Sequence, residues 1–338
     1  MTNIKIFPGT DQIALTSDIC RRLNILPSHA SLQKFSNGEV CARLGDLSEA
    51  TKDCAGSDVY VVQSGLGNDA LIELFFMIHK CRAVTTPGQR VVAIVPCFPY
   101  ARQDEAVGSS LRVPVMVAHT IKHWGADLII TVDLHSTHWV PDIAEINMIN
   151  LTAESEIIGY IKKNIDDWQQ SCLVSPDDGG TQRISILKHQ VQVMELVEGS
   201  RSLEGRIAII IDDMVDTCGT LIFAAERLFE YGAKCVHAIC VHGIFSGQAL
   251  SRLAQSRIET LVVSNSLPQA ENMKRCDKIK IGNKPPGRFQ RTCTLPSVLS
   301  QPHPLIRHGI RLVDEDIDPL TALFPPLPSI RHGIRLDD

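Results

Sequence analysis

The chain has no basic excess. Of its 338 residues, 33 are Lys or Arg and 38 are Asp or Glu, a formal net charge of −5. General nucleic-acid binders carry a cationic surplus, so no nucleic-acid partner is expected. Long apolar runs are also missing. No uncharged stretch approaches the ~18 residues that cross a bilayer, so no membrane partner is expected. The opening MTNIKIFPGT has neither an extended apolar segment nor a small-residue cleavage site, which points to a cytoplasmic protein. No CxxC occurs among the 11 cysteines, whose closest pair is Cys235 and Cys240. That spacing excludes a four-cysteine zinc site and gives no disulfide framework, leaving thiols in a reducing compartment. A GxxxxGK[ST] loop is absent, so any nucleoside triphosphate must be held by other means. HExxH is absent as well, and His119 and His123, four apart, read as an ordinary helix face.

What is present is a soluble-protein composition, 44% hydrophobic and 21% charged, which argues against disorder. Runs apolar on both faces recur at 58–63, 90–96, 127–133, 172–175, 206–213, 234–242 and 258–264, with a short one at 4–7. Such runs are strands of parallel sheets covered on both sides. Helical spacing alternates with them at 69–84, 113–124, 152–165 and 217–231. Asn68 or Asp69 is the candidate cap of the first helix, Pro114 opens the second, and Gly125 and Gly232 stop the second and fourth. This alternation predicts a doubly wound α/β architecture. Residues 137–150 read as a loop, which sets a domain boundary near Asn150. Residues 285–338 are different in kind: they hold nine of the 18 prolines and repeat IRHGIRL at 306–312 and 330–336. They are expected to form an irregular tail.

The sharpest chemical signal is RIAIIIDDMVDTCGT at 206–220. A buried strand runs into Asp212 and Asp213, then Asp216, and Thr217-Cys218-Gly219-Thr220 opens a helix. Loop amides and a helix N-terminus suit a phosphate, and Gly219 permits close approach of the backbone. Carboxylates beside that cradle would repel the phosphate, so they serve ribose hydroxyls or a divalent cation. The whole specifies a sugar phosphate. A lone DD would read as a solvated strand end; the ordered combination does not.

This segment resembles the phosphoribosyl-pyrophosphate (PRPP) binding motif of phosphoribosyltransferases and PRPP synthetases. FSNGE at 35–39, PCFPYARQD at 96–104, DLH at 133–135, SPD at 175–177 and HGIFSG at 242–247 narrow the resemblance to the ribose-phosphate pyrophosphokinase family, over about residues 3–281. The resemblance implies two phosphoribosyltransferase-like α/β domains, 1–150 and 151–284, followed by the tail. It implies transfer of the β,γ-pyrophosphoryl group of ATP to the C1 hydroxyl of ribose 5-phosphate, with Mg²⁺ as cofactor. Phe35, Asn37 and Glu39 would approach the adenine from a neighbouring subunit of a homo-oligomer or of homologous subunits. Arg102 and Gln103 would hold the nucleotide, and the guanidinium suits phosphate oxygens. His135 would meet magnesium–ATP, with Asp133 in the same metal site, Asp177 at a second magnesium and Glu145 a further acidic candidate. Asp212, Asp213, Asp216 and Thr217–Thr220 would bind ribose 5-phosphate.

The sequence departs from the family in three places. The segment after Gly180, TQRISILKHQVQVMELVEGSRSLEGR, is too short for the usual Lys/Arg-rich catalytic loop and offers only Arg201 as a partial substitute. After Asp104 the sequence EAVGSSLRVP puts Glu105 where the family has positive residues. After Ile281 the chain enters GNKPPGRFQRTC instead of the family's final strand and helix. No catalytic base or lysine is assigned. A non-catalytic regulatory or associated subunit of the same family is the rival expectation.

Overall fold

The computed structural model describes residues 3–44, 54–104, 112–143, 145–176, 183–184, 187, 194–195 and 203–282. Asp177, Arg201, the segment after Asp104 and the proline-rich tail lie outside them. In chain order the elements of the first half are β1 (Asn3–Pro8), α1 (Ile13–Leu23), β2 (Ser31–Lys34), β3 (Val40–Arg43), β4 (Ser57–Val62) and α2 (Asn68–Val84), followed by β5 (Val91–Val95), α3 (Val113–His123), β6 (Leu128–Val132) and β7 (Met148–Leu151). The second half carries α4 (Glu154–Asn164), β8 (Cys172–Val174), β9 (Met194–Glu195), β10 (Ile207–Val215) and α5 (Gly219–Glu230). It ends with β11 (Cys235–Gly243), α6 (Ala249–Gln255), β12 (Thr260–Val263), α7 (Ala270–Arg275) and β13 (Ile279–Ile281).

Among the described residues, one parallel sheet has the order β1-β4-β5-β6-β7 and a second β13-β12-β11-β10-β8-β9, while β2 and β3 form an antiparallel hairpin. The α/β architecture with two parallel sheets follows from the both-face apolar runs. Alternate residues of each strand enter opposite cores. Val59, Val61, Val91, Ala93 and Val95 pack with Leu74, Met77 and Ile78 of α2 and Ile121 of α3. Tyr60, Val62, Val92 and Ile94 pack on the other face with Ile19 and Cys20 of α1. In the second sheet Ala208, Ile210, Val236 and Ala238 meet Leu221, Ala225 and Leu228 of α5. Ile209, Ile211, Ile239 and Val241 meet Ile157, Ile158 and Ile161 of α4. Each such buried Val, Leu, Ile or Met side chain contributes about 1.5–3 kcal/mol.

Several boundaries differ from the sequence reading, each for a local reason. Residues 137–150 are not all loop: Met148–Leu151 pairs with β6 as the edge of the first sheet, beyond a short 3-10 turn at Val140–Ile143. The helix expected from Thr152 begins at Glu154, with Ala153 as its N-cap at φ −91° and ψ 8° and the Ala153 N–H donating to the Asp133 carboxylate at 2.8 Å. Gly67, with φ +84°, stands ahead of α2 in place of an Asn or Asp cap. The helix expected from Thr217 begins at Gly219, because Cys218 holds φ +63°, a left-handed conformation no helix continues through. β10 runs two residues further than expected, since Met214 and Val215 pair with His242 and Gly243 of β11. Asp212 and Asp213 therefore lie within the strand, near its carboxyl end.

Candidate active site

In open α/β sheets ligands bind beyond the carboxyl ends of strands, at the point where strand order reverses. In the second sheet β8 is followed outward by β9, while β10, β11, β12 and β13 run the other way, so the reversal lies between β8 and β10. The carboxyl end of β10 carries Asp212 and Asp213, and the loop to α5 follows.

That loop faces the first sheet. His135, just past β6, contacts the Asp213 Oδ2 through Nδ1 at 2.8 Å. The imidazole is about a third exposed and the carboxylate 12% exposed, so the pair is partly open to solvent. The hydrogen bond to Asp213 raises the His135 pKa above its ordinary 6.5, against the opposing effect of burial. Burial works to raise the Asp213 pKa, but hydrogen bonds with His135 and Asp212 outweigh it and hold the carboxyl below its ordinary range. Asp212 also accepts the backbone N–H of Asp213 at 2.8 Å.

Asp133 is buried and has φ +43°, an uncommon conformation for a non-glycine residue. Its Oδ2 accepts the Ala153 N–H, and its Oδ1 lies 3.4 Å from Arg183 Nη2. The Leu134 N–H donates to Asn150 Oδ1 at 3.2 Å. The turn that presents His135 is thus held from several sides.

Arg102, on the loop after β5, reaches the same end of β10. Its Nη2 pairs with Asp216 Oδ2 at 2.8 Å. Asp216 is pushed up by burial, but hydrogen bonds from Ser246 and Arg102 reverse that and keep it ionised. Between the Gly65–Asn68 turn, the Phe98–Gln103 loop and Met214 and Ile244 lies a cleft of about 590 Å³ that includes Gln103 in its wall. At the phosphate cradle, the Arg252 guanidinium approaches the Thr217 carbonyl at 3.4 Å. Gly219 has open space on its Cα, with Thr217 Oγ1 3.7 Å from where a Cβ would stand. Cys218 is buried in the core, and burial pushes its thiol up to about 11, so it contributes backbone geometry and no thiolate.

The structure therefore brings together His135, Asp133, Asp212, Asp213, Asp216, Arg102 and the 217–220 loop. Gln103 lines the cleft beside Arg102, and Asp177 lies outside the described residues; Phe35, Asn37, Glu39 and Glu145 stand apart. Phe35, Asn37 and Glu39 form the tip of the β2–β3 hairpin: Phe35 N–H donates to Glu39 O at 2.9 Å, and Glu39 N–H to Asn37 Oδ1 at 3.1 Å. Among the described residues no hydrogen bond or ion pair links that tip to the cleft, and Phe35 is exposed. Glu145 stands with His119, 3.4 Å from its Nδ1, and its carbonyl accepts from Lys122. Arg183 and Arg252 have no motif to mark them, since no local pattern reports which cation a fold delivers to a distant strand end; His242 belongs to the HGIFSG motif, but its contacts are set by the fold.

Among the described residues no cluster of three or more His, Cys, Asp or Glu forms a ready cage for a metal ion. A Mg²⁺ ion beside phosphates needs only one or two carboxylates, with phosphate oxygens and water completing the octahedron. Of the residues expected at the metal, the Asp133 carboxylate has the oxygen chemistry that fits that need. Among the described residues, no helix is long and apolar enough to cross a membrane.

Comparisons with known proteins bear on the family and the fold. Residues 4–125 match the family model for the N-terminal domain of ribose phosphate pyrophosphokinase. Residues 181–283 match that of the phosphoribosyl synthetase-associated domain. The crystal structure of phosphoribosylpyrophosphate synthetase from Mycobacterium smegmatis is similar at 29% identity and a TM-score of 0.73, covering 82% of this chain and 94% of that one. A hypoxanthine phosphoribosyltransferase from Staphylococcus aureus aligns at 13% identity and a TM-score of 0.23, over 40% of this chain and 77% of that one.

Proposed function

Because the chain belongs to the ribose-phosphate pyrophosphokinase family, we propose that it transfers the β,γ-pyrophosphoryl group of ATP to ribose 5-phosphate. The C1 hydroxyl oxygen of the sugar bonds to the β-phosphorus, the bond from that phosphorus to the α,β-bridging oxygen breaks, and AMP leaves with PRPP as product. The hydroxyl proton is released as the new bond forms. One observation carries the reading: the sugar-phosphate loop at the end of β10 directly faces His135 and Arg102 of the first sheet.

In this reading the Thr217–Thr220 amides and the N-terminus of α5 bind the 5-phosphate, with Arg252 adding positive charge beneath the loop. Asp212, Asp213 and Asp216 address the ribose hydroxyls. Arg102 exchanges its Asp216 partner for nucleotide phosphate oxygens, and Gln103 lines the nucleotide cleft. Asp133 and His135, with Asp177, would hold Mg²⁺, which supplies charge neutralisation on the polyphosphate. Phe35, Asn37 and Glu39 stand on an exposed hairpin, the placement needed to complete the adenine site of a neighbouring subunit in an oligomer. The product serves nucleotide biosynthesis in the cytoplasm.

A second reading, a catalytically impaired regulatory or associated subunit, is favoured by the short 181–206 segment and its lack of a Lys/Arg-rich loop. A purified-protein assay separates the two. AMP and PRPP formed in equal amounts from Mg–ATP and ribose 5-phosphate support the enzyme. Binding of both substrates without AMP supports the second reading. Base-dependent release of pyrophosphate from PRPP would replace both with a phosphoribosyltransferase.

A further inference from the structure

We infer that His242 is a positioning residue, which holds the Val132–His135 turn of the first sheet in place from within the second sheet. This rests on the reading of His135 as part of the nucleotide site, but its geometry stands independently. His242 lies on β11 opposite Met214, level with the acidic end of β10, and is 2% exposed. Its Nε2 is 3.0 Å from the Val132 carbonyl oxygen and 3.3 Å from that of Asp133. Carbonyl oxygens only accept, so Nε2 carries a proton and donates to both. Its Nδ1 meets Ser266 Oγ at 2.8 Å.

Ser266 is itself pinned to the first half. Its carbonyl accepts from Gln12 Nε2 at 2.9 Å and from Ser64 Oγ at 2.8 Å. The imidazole is therefore oriented by a residue tied to the first sheet at two points. The turn it holds needs such support. β5 ends at Val95 opposite Thr131; beyond it the Val132 N–H donates to Pro96 O at 3.2 Å and the Asp133 N–H to Leu151 O at 2.8 Å, which leaves the two carbonyls to His242, and Asp133 has φ +43°. A strained conformation persists only where its surroundings determine it. His242 supplies that constraint on the carbonyl side, while Asn150 and Ala153 supply it on the amide and carboxylate sides. His135 is two residues from the held carbonyls.

The test uses the full chain with His242→Leu, His242→Gln and His242→Asn. A glutamine amide reaches the carbonyls as Nε2 does; an asparagine amide reaches only toward Ser266. Amide hydrogen exchange at Leu134, with Val92–Val95 of β5 as internal reference, reads the turn without requiring activity. In His242→Leu we expect faster exchange at Leu134 with β5 unchanged. We also expect kcat lower by about ten- to a hundredfold, the range typical for loss of an outer supporting partner, with the ribose 5-phosphate KM unaltered. His242→Gln should restore most of both, and His242→Asn neither. A folded His242→Leu protein with unchanged Leu134 exchange overturns the proposal, as do equal effects of Gln and Asn. If His242→Leu does not fold, the Gln and Asn pair decides alone. If the unaltered chain forms no PRPP, the functional reading fails, while the exchange data still decide this one.

Discussion

His135 and Asp213 come from different sheets, 78 positions apart in the chain, and meet at 2.8 Å. The contact joins the carboxyl end of β6 to that of β10. Arg102 with Asp216, and His242 with Val132, cross the same divide. The two halves are therefore joined by polar contacts beyond the carboxyl ends of their strands.

The His135–Asp213 pair predicts a pH signature in the metal-free protein. The His135 pKa lies above 6.5, so its contribution is fully present below 6.5 and fades as pH rises through the folded value. The Asp213 pKa lies below 3.8, so its contribution is present above 3.8 and is lost as pH falls through the folded value. The pair thus stabilises most between those two ordinary values. NMR of the imidazole should show a His135 pKa above 6.5 that drops in Asp213→Asn. Urea unfolding should show the variant's deficit largest near pH 5 and shrinking toward pH 9; a deficit independent of pH counts against the ion pair.

Gly219 gives a cleaner probe of the phosphate cradle than the carboxylates do, because Asp213 is already engaged by His135. The added Cβ of Gly219→Ala meets nothing closer than 3.7 Å, and Gly219 does not hold a positive φ. The fold should be unharmed, and the melting temperature unchanged or slightly higher, since alanine favours helices. The methyl group nevertheless occupies the approach of a bound phosphate. Calorimetry should show ribose 5-phosphate affinity reduced by about tenfold, equivalent to about 1.4 kcal/mol. Unchanged affinity would remove the 217–220 loop from the site.

Gly65 tests the nucleotide cleft in the opposite way, through crowding. A Cβ there would stand 2.3 Å from Pro99 Cβ, so Gly65→Ala must displace the loop that carries Arg102 and Gln103. Overpacking of this kind typically costs about 1–3 kcal/mol. The KM for Mg–ATP should rise while ribose 5-phosphate binding persists, because the 217–220 loop lies across the cleft. Equal loss of both substrates would show a general collapse of the cleft instead.

Arg102 itself is 53% exposed, and exposed ion pairs contribute only about 0–1 kcal/mol, so Arg102→Ala should scarcely change stability. Its effect belongs to the nucleotide: the KM for Mg–ATP should rise by about tenfold or more. Arg102→Lys should recover part of that, since it keeps the charge and loses the fork. A wild-type KM in Arg102→Ala would leave the guanidinium as a partner of Asp216 alone.

Much of this was legible in the sequence because parallel strands covered on both faces are unbroken β-branched runs, as in RVVAIVP and RIAIIID. The shorter elements were not. β7 is four residues at a sheet edge, and its membership depends on β6 rather than on its own pattern. α1 carries Thr16, Ser17 and Asp18 among its apolar positions, and its clearest signal is the Asn24 left-handed cap that ends it. The motif residues could be found by type and spacing, but their pairing could not: nothing local in Asp213 specifies His135. Likewise nothing near His242 reports that its ring reaches a carbonyl 110 positions away.

The last prediction concerns rate. Pyrophosphoryl transfer concentrates negative charge on the transferring group, and preorganised positive charge is its main source of stabilisation. In the described cleft Arg102 is paired with Asp216, and Arg183 lies 3.4 Å from Asp133, so two of the available guanidinium groups already neutralise carboxylates. The 181–206 segment supplies no Lys/Arg-rich run to replace the loop the family carries there. Removing one preorganised donor costs about a hundredfold or more in turnover. Substrate binding, which uses the 217–220 loop and the Arg102 cleft, should survive that deficit. Steady-state assays should therefore give measurable affinity for both substrates and a kcat at least about a hundredfold below that of a family member with the complete loop. Inserting such a loop between Met194 and Leu203 should raise kcat with little change in the ribose 5-phosphate KM. Full turnover by the unmodified chain would show that Arg183 or another cation leaves its carboxylate when ATP binds. Failure of the graft to raise kcat, with both substrates still bound, would place the deficit elsewhere in the cleft and favour the regulatory-subunit reading.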